Sequence, residues 1–370
     1  MTFIYFSYLL LIGCFLYGFD KVRPFKIKVK KAEISFSIII PFRNEAENLP
    51  KLLTSITLLE YPSSLFEVIF IDDDSNDHSK LLIKKTAASS PVNIRVIPNK
   101  RISYSPKKDA ITEAINQSKY EWIITTDADC ILPKDWLHSF NSFILENDTL
   151  CIAAPVTYNT GKSFLDRFQL LDMLSLQGAT IGGFGLKKPF LCNGANLCYK
   201  KSIFKSLHGF NGNEDIAGGD DIFFLEKAVK AYPSQVHYLK CQQAIVTTAT
   251  QDSWPDLLSQ RVRWAAKTSA YNNWFGKLTG LVVLLMNSWI VCGLILTLAG
   301  VFNSSYFLYS LLIKFCVDFY LIYKTAAFFN TKSALSSYTL AFFIYPFFST
   351  YIAANSIFKG YTWKARYFNK

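Results

Sequence analysis

Residues 1–19, MTFIYFSYLLLIGCFLYGF, carry no charged side chain, and Lys21, Arg23, Lys26, Lys28, Lys30 and Lys31 follow directly. Nineteen apolar residues in a helix suffice for about 30 Å of hydrocarbon. A secretory signal would place its positive charge before the apolar run and end in a small-residue cleavage site. Here the charge comes after it and no such site is evident. The pattern predicts a transmembrane anchor over 1–19 and a basic linker over 20–32. By the positive-inside rule the N-terminus lies outside and the chain from Lys21 onward in the cytosol. Residues 281–313 and 333–358 are again free of charge. They fit helices near 279–301, 305–327 and 336–358, a membrane segment over 278–358 followed by a basic tail over 359–370. Lys314 and Asp318, four residues apart, share one face of the middle helix. They read as a neutralising pair turned toward neighbouring helices. The tail residues Lys359, Lys364, Arg366 and Lys370 favour the cytosolic side. We therefore expect only two of the three helices to cross fully. The middle one is the costliest to insert because of Lys314, Asp318 and Lys324; Pro346 makes the third the other candidate, through a kink.

Between these ends, residues 33–270 alternate apolar runs with amphipathic stretches. SFSIIIPF reads as a buried strand and NEAENLPKLLTSI as the opening of a helix. FEVIFIDDDSND and EWIITTDADC each read as a strand running into an acidic loop. Continuous β-branched runs, without strict alternation, indicate a parallel sheet covered on both faces. Strand–helix alternation makes it a doubly wound, Rossmann-like α/β domain. Ligands of such sheets bind beyond the carboxyl ends of the strands, where both acidic loops fall.

Composition sharpens this division. Of 370 residues 51% are hydrophobic and only 18% charged, against about a quarter in soluble domains. The formal charge of +11 could serve nucleic acid or anionic surfaces. The basic residues cluster beside the apolar segments, however, and no nucleic-acid-binding motif is present, so membrane flanks account for them. The eight cysteines form no CxxC pair and read as reduced and structural, Cys130 and Cys192 standing beside candidate site residues.

The candidate chemistry lies in short polar motifs. Asp127-Ala128-Asp129 places two carboxylates one residue apart after a strand. Mg²⁺ is commonly held by one or two carboxylates plus substrate phosphates, so this motif is chemically sufficient; a plain solvated turn is the other reading. Asp72-Asp73-Asp74 sets three like charges side by side, an expensive arrangement for a turn. They fit hydrogen bonding to a nucleobase imide or ribose, or capping of the next helix. Asn193-Gly194-Ala195-Asn196 precedes the run LCYKKSIF. Gly218-Gly219-Asp220-Asp221 precedes an apolar helix, and its carboxylates suit either a ligand or the helix dipole. Gln260-Arg261-Val262-Arg263-Trp264 offers an Arg fork for phosphate and a Trp for a sugar face, or an interfacial anchor before the membrane helices.

Taken in order and spacing, IIIPFRNEAENL, IDDDSND, DAD, GGDD and QRVRW resemble the family 2 inverting glycosyltransferases of GT-A fold. The resemblance is to their membrane-bound branch, with cellulose, chitin and hyaluronan synthases and ceramide glucosyltransferases, and it covers about 33–270. It implies a nucleotide-sugar donor and Mg²⁺ or Mn²⁺ as cofactor. Asp72 and Asp73 would contact the nucleoside, and Asp127 and Asp129 the diphosphate and metal. Asp221 would be the general base, with Asp220 beside it as the alternative because GGDD replaces the family's Glu-Asp. Gln260, Arg263 and Trp264 would line the diphosphate and acceptor side, and Asn193, Gly194 and Asn196 the acceptor side. Lys107 stands where the family has GKxxAL, although this chain reads PKKDAI. DDDS replaces DDGS, so any left-handed backbone position there falls to an aspartate. The expected activity is inverting transfer of a sugar to a hydroxyl of a lipid, or of a lipid-linked or polysaccharide acceptor, by a multi-pass integral (inner or plasma) membrane protein with a cytosolic catalytic domain. Transfer to a polyprenyl phosphate is the runner-up, set back by QRVRW. A non-catalytic scaffold of the same fold is set back by the presence of every acidic motif. Three carboxyl-terminal helices are few for a polymer channel unless a partner or second copy of the chain contributes.

Overall fold

In the computed structural model, which describes residues 2–28, 31–159, 161–358, 361–363 and 366–368, the run Phe36–Phe42 is strand β1. It is followed by β2 (Phe66–Asp72), β3 (Asn93–Pro98), β4 (Trp122–Thr125), β5 (Cys151–Ala153), β6 (Leu197–Lys200) and β7 (Val236–Tyr238). The helices in chain order are α1 (Thr2–Lys21), α2 (Leu49–Thr57), α3 (Ser79–Ser89), α4 (Pro106–Gln117), α5 (Trp136–Glu146), α6 (Phe164–Gly185), α7 (Lys201–Ser206), α8 (Asp220–Ala231), α9 (Trp254–Ala265), α10 (Trp274–Leu298), α11 (Ser304–Phe328) and α12 (Tyr338–Phe358). Lys359, Lys364 and Lys370 of the expected basic tail lie outside the described residues.

Two compact units result. One, residues 23–157 and 191–249, holds a seven-stranded sheet in the order β3-β2-β1-β4-β6-β5-β7. The mixed α/β, mostly parallel sheet expected from the apolar runs is present: β1 runs parallel to β2 and β4, β2 to β3, and β5 to β7. Every residue of β2 is buried, as strands covered on both faces must be. Pro41 is tolerated in the interior strand β1 because pairing with β4 ends at Ile39–Thr125, so no ladder bond is lost on that side. Strand β6 is the exception, antiparallel to both β4 and β5. Its start therefore adjoins the end of β4, Leu197 opposite Thr125, and delivers the Asn193–Asn196 turn to the carboxyl edge of the parallel strands.

The other unit, residues 1–22, 158–190 and 250–370, is helical. Among the described residues four segments are long and apolar enough to cross a membrane: Phe3–Lys21, Trp274–Leu298, Ser304–Phe328 and Lys332–Ile357. Pro346 lies inside α12, which continues unbroken past it. Helix α6 packs along α1 through glycines: a Cβ on Gly182 would stand 2.7 Å from the Phe15 carbonyl oxygen, and one on Gly185 would overlap the Gly18 carbonyl oxygen. Lys314, its side chain 3% exposed, pairs with Asp318, which also accepts from the Tyr8 hydroxyl of α1 at 2.6 Å. The neutralising pair expected from the spacing thus points into the bundle.

Candidate active site

The carboxyl edge of β1, β2 and β4 gathers most of the polar motifs. Asp72 closes β2 and is buried. Its carboxylate accepts from the Ser75 amide at 3.0 Å and pairs with Lys80 at 2.7 Å. Asp73 accepts from Asn99 Nδ2 at 2.9 Å and pairs with Arg101 Nε at 2.6 Å, while Arg43 donates to the Asp73 and Asp74 carbonyls. Asp74 takes a left-handed φ of 64°, the position DDDS leaves to an aspartate, and its side chain is 80% exposed. The triple acidic run is therefore embedded in cations. Lys80, Arg101, Arg43 and Asn99 were not among the candidates from sequence. Arg43 and Arg101 each follow a strand of the parallel set, so the carboxyl-edge rule would have found them.

Past β4, Asp127 pairs with Lys107 Nζ at 2.7 Å. Lys107 sits in the first turn of α4 and reaches Asp220 at 3.6 Å as well. Burial alone would lower its ammonium, but Asp127 and Asp220 outweigh that and hold it above the usual lysine range. Asp129 accepts from Thr248 Oγ1 at 3.0 Å. Burial, with the charges of Asp127 and Glu45, pushes its carboxyl up to about 6. A bound cation would relieve the part of this shift that comes from Asp127 and Glu45, burial being the larger cause. Among the described residues no three His, Cys, Asp or Glu side chains form a metal-binding group. Asp127 and Asp129 thus fit a hard divalent ion only if the remaining oxygens come from a ligand such as a diphosphate.

Gly218 and Gly219 lead into α8 with φ of 81° and 68°, a left-handed path that side chains resist. They turn the chain so that Asp220 and Asp221 occupy the first turn of α8. Asp220 is 7% exposed. Asp221 accepts from the Gly194 amide at 2.9 Å and the Ile222 amide at 2.8 Å. Burial and then the Asp220 charge push its carboxyl up to about 6, against the pull of Lys107. The structure therefore brings Lys107, Asp127, Asp220, Asp221 and Gly194 together. Asn193 caps its own turn by accepting from the Ala195 amide, and Thr125 Oγ1 donates to the Gly194 carbonyl at 2.7 Å. Asn196 is fully buried, accepting from Trp136 Nε1 and donating to the Pro155 and Ala244 carbonyls; its side chain anchors the turn from inside. All eight cysteines are unpaired. Burial pushes the Cys130 and Cys192 thiols well up, so neither is a thiolate.

Gln260, Arg263 and Trp264 lie on α9, in the helical unit, each half-buried. The buried cation of this motif is Arg261, absent from the sequence candidates. It pairs with Asp172 of α6 at 2.7 Å, donates to Tyr158 and Gln260, and stacks 4.3 Å from the Trp264 ring. The spacing held no signal for it, because its counter-charge comes from residue 172.

The sheet and its acidic carboxyl edge define the GT-A class of fold. The structure of the mannosyltransferase PcManGT from Pyrobaculum calidifontis, in complex with GDP-Man and Mn²⁺, matches over 96% of this chain and 99% of that one, with a TM-score of 0.55 and 14% identity. The model of glycosyl transferase family 2 matches residues 37–207, and the chain carries a domain of that family. It is 25% identical over 275 residues to the poly-beta-1,6-N-acetyl-D-glucosamine synthase of Staphylococcus epidermidis, covering 71% of this chain and 62% of that protein. It is 24% identical over 253 residues to the beta-monoglucosyldiacylglycerol synthase of a Nostoc species, covering 67% and 52%. The chain thus spans between half and two thirds of the length of these curated relatives.

Proposed function

We propose that this chain is a membrane-bound inverting glycosyltransferase, moving a sugar from a nucleotide-sugar to a hydroxyl of a lipid or of a lipid-linked or polysaccharide acceptor. The observation that carries this reading is the convergence of Asp127, Lys107, Asp220 and Asp221 at the carboxyl edge of the sheet, with one carboxyl raised into a base's range. In it Asp72 and Asp73 flank the nucleoside. Asp127 and Asp129 hold Mg²⁺ or Mn²⁺, which supplies charge to offset the departing diphosphate. The Mn²⁺ and GDP-Man named with the P. calidifontis mannosyltransferase are consistent with that pairing.

Asp221 removes the proton of the acceptor hydroxyl as that oxygen attacks the anomeric carbon. The bond to the diphosphate oxygen breaks on the opposite face, so the configuration inverts. Two peptide N–H groups, of Gly194 and Ile222, aim the Asp221 carboxylate. Lys107, which pairs with Asp127, meets a phosphate oxygen in this reading. Gln260, Arg263 and Trp264 serve the diphosphate and acceptor side, and Asn193 and Gly194 the acceptor side, with Asn196 as the anchor of their turn. The two relatives' names cover both acceptor classes, a polysaccharide and a glycolipid. A phosphate acceptor would need no base and would leave the tuned Asp221 without a task. In this reading the protein is integral to the inner or plasma membrane with its catalytic domain cytosolic.

The test is turnover of the detergent-purified protein across a panel of nucleotide-sugars with extracted lipids, following released nucleoside diphosphate and the anomeric configuration of the product. Lipid-dependent release with inversion is expected. Release from no donor, or retention, overturns the proposal.

A further inference from the structure

The buried group that this chemistry leaves unexplained is Lys108. It follows Lys107 in the first turn of α4, yet it takes different partners and is 2% exposed. Its Nζ donates to the carbonyl oxygens of Asn213 at 2.6 Å and Ile216 at 2.9 Å, and lies 4.5 Å from the Phe223 ring. Burial lowers its ammonium to about 8, Asp220 and Glu214 partly opposing. A lysine so deep is costly unless its hydrogens are satisfied, and here two of the three are spent on backbone carbonyls beside the Phe223 ring. The segment receiving them, 213–219, lies outside regular helix and strand, and it leads directly into Asp220 and Asp221. Ser105, the residue before α4, accepts from the Gly218 amide at 3.2 Å, and Lys107 reaches Asp220. One helix end thus grips the path into α8 at four points. A charge-assisted bond to a carbonyl is short and directional, so two of them from one ammonium select a single loop conformer where apolar packing would allow several.

We propose that Lys108 is a positioning residue for sugar transfer: without touching substrate, it holds residues 213–219 in the one path that sets Asp220 and Asp221 at the start of α8. This rests on the reading of Asp221 as the base.

The test uses the full-length protein in detergent with Lys108→Met, Lys108→Arg and Asp221→Asn. Lys108→Met is expected to lower kcat on the order of 10-fold, a part of the roughly 10²–10⁴-fold span of general-base catalysis. KM for the donor should change far less than kcat, because the donor-side carboxylates Asp72, Asp73, Asp127 and Asp129 lie outside this segment. Lys108→Arg should recover part of the lost rate. Adding Lys108→Met to Asp221→Asn should cost little more, since residues acting as a unit are non-additive. Backbone amides over 213–221 should exchange faster in Lys108→Met, with β1 and β2 unchanged. Full additivity in the double variant, or unchanged exchange over 213–221, overturns the proposal. Should Lys108→Met fail to fold, Lys108→Gln, which keeps a neutral N–H donor group but loses the charge, carries the same comparison. If the unaltered protein transfers no sugar from any donor, the functional reading fails, while the exchange comparison still decides whether Lys108 holds the segment.

Discussion

Asp221 and Asp129 are both pushed up to about 6, but by different neighbours, and the two aspartates call for different tests. Asp221 is raised by burial and by Asp220. Its carboxyl must be ionised to take a proton, so a raised value means activity is held above about pH 6 and lost as pH falls through it. The pH–rate profile should show kcat dropping about tenfold per unit below that point. Asp221→Asn should leave donor binding intact and lower turnover by about 10²–10⁴; a larger loss in Asp220→Asn would make Asp220 the base. Asp129 is raised by burial and then by Asp127, just before it in the same motif. Excess chelator should abolish release of nucleoside diphosphate, and Mg²⁺ or Mn²⁺ should restore it. Undiminished turnover in chelator would rule out the metal role of both carboxylates.

Among the elements, α1 is tied to the helical unit by two kinds of contact. Glycines 18, 182 and 185 let the α1 and α6 backbones meet, so Gly185→Ala should destabilise by about 1–3 kcal/mol, the usual range for overpacking. Thermal unfolding in detergent measures this, and an unchanged midpoint would mean that the helices are free to part. Further along, Tyr8 of α1 and Lys314 of α11 share Asp318. Asp318→Ala leaves the buried Lys314 ammonium without its counter-charge and should destabilise by about 3–5 kcal/mol. Replacing both by apolar residues, as in Lys314→Met with Asp318→Leu, should recover most of that. A double variant as unstable as the single one would contradict the pairing.

For the molecule as a whole, charge and packing give different answers for the membrane face on which the chain ends. Charge counting favours a cytosolic tail with one helix falling short. The packing within the helical unit weighs the other way. Lys324 near the end of α11 pairs with Asp20 near the end of α1, so these two helices run in parallel. Trp289 of α10 donates to Tyr5 and Phe275 meets Phe15, so α10 runs against them. Lys314 and Asp318 neutralise each other inside the bundle and Lys324 pairs with Asp20, which lowers the cost of inserting α11. We therefore expect a single cysteine at position 368 of a cysteine-free variant to react with a membrane-impermeant maleimide in intact cells. Labelling only after lysis would return the tail to the cytosol and one helix to the interface.

The order and character of the elements were legible in the chain because local rules govern them. Apolar runs of β-branched residues make buried strands, long uncharged runs make spanning helices, and acidic loops fall at strand ends. That was enough to place Asp72, Asp127 and Asp129 at strand ends; Asp220 and Asp221 were legible only as the start of a helix, and the left-handed Asp74 only through the resemblance of DDDS to DDGS. The partners of those residues were not legible. Arg101 meets Asp73 because β3 lies beside β2, Lys107 meets Asp220 from a distant stretch of chain, and Arg261 meets Asp172 through the packing of α9 on α6. The antiparallel β6, which carries Asn193 and Gly194 to the edge, likewise follows from a sheet register that no local pattern encodes. The sequence determined which groups carry the charge and where each element begins; only the tertiary structure decided which charges face one another, because ion pairing and burial depend on distances between segments far apart in the chain.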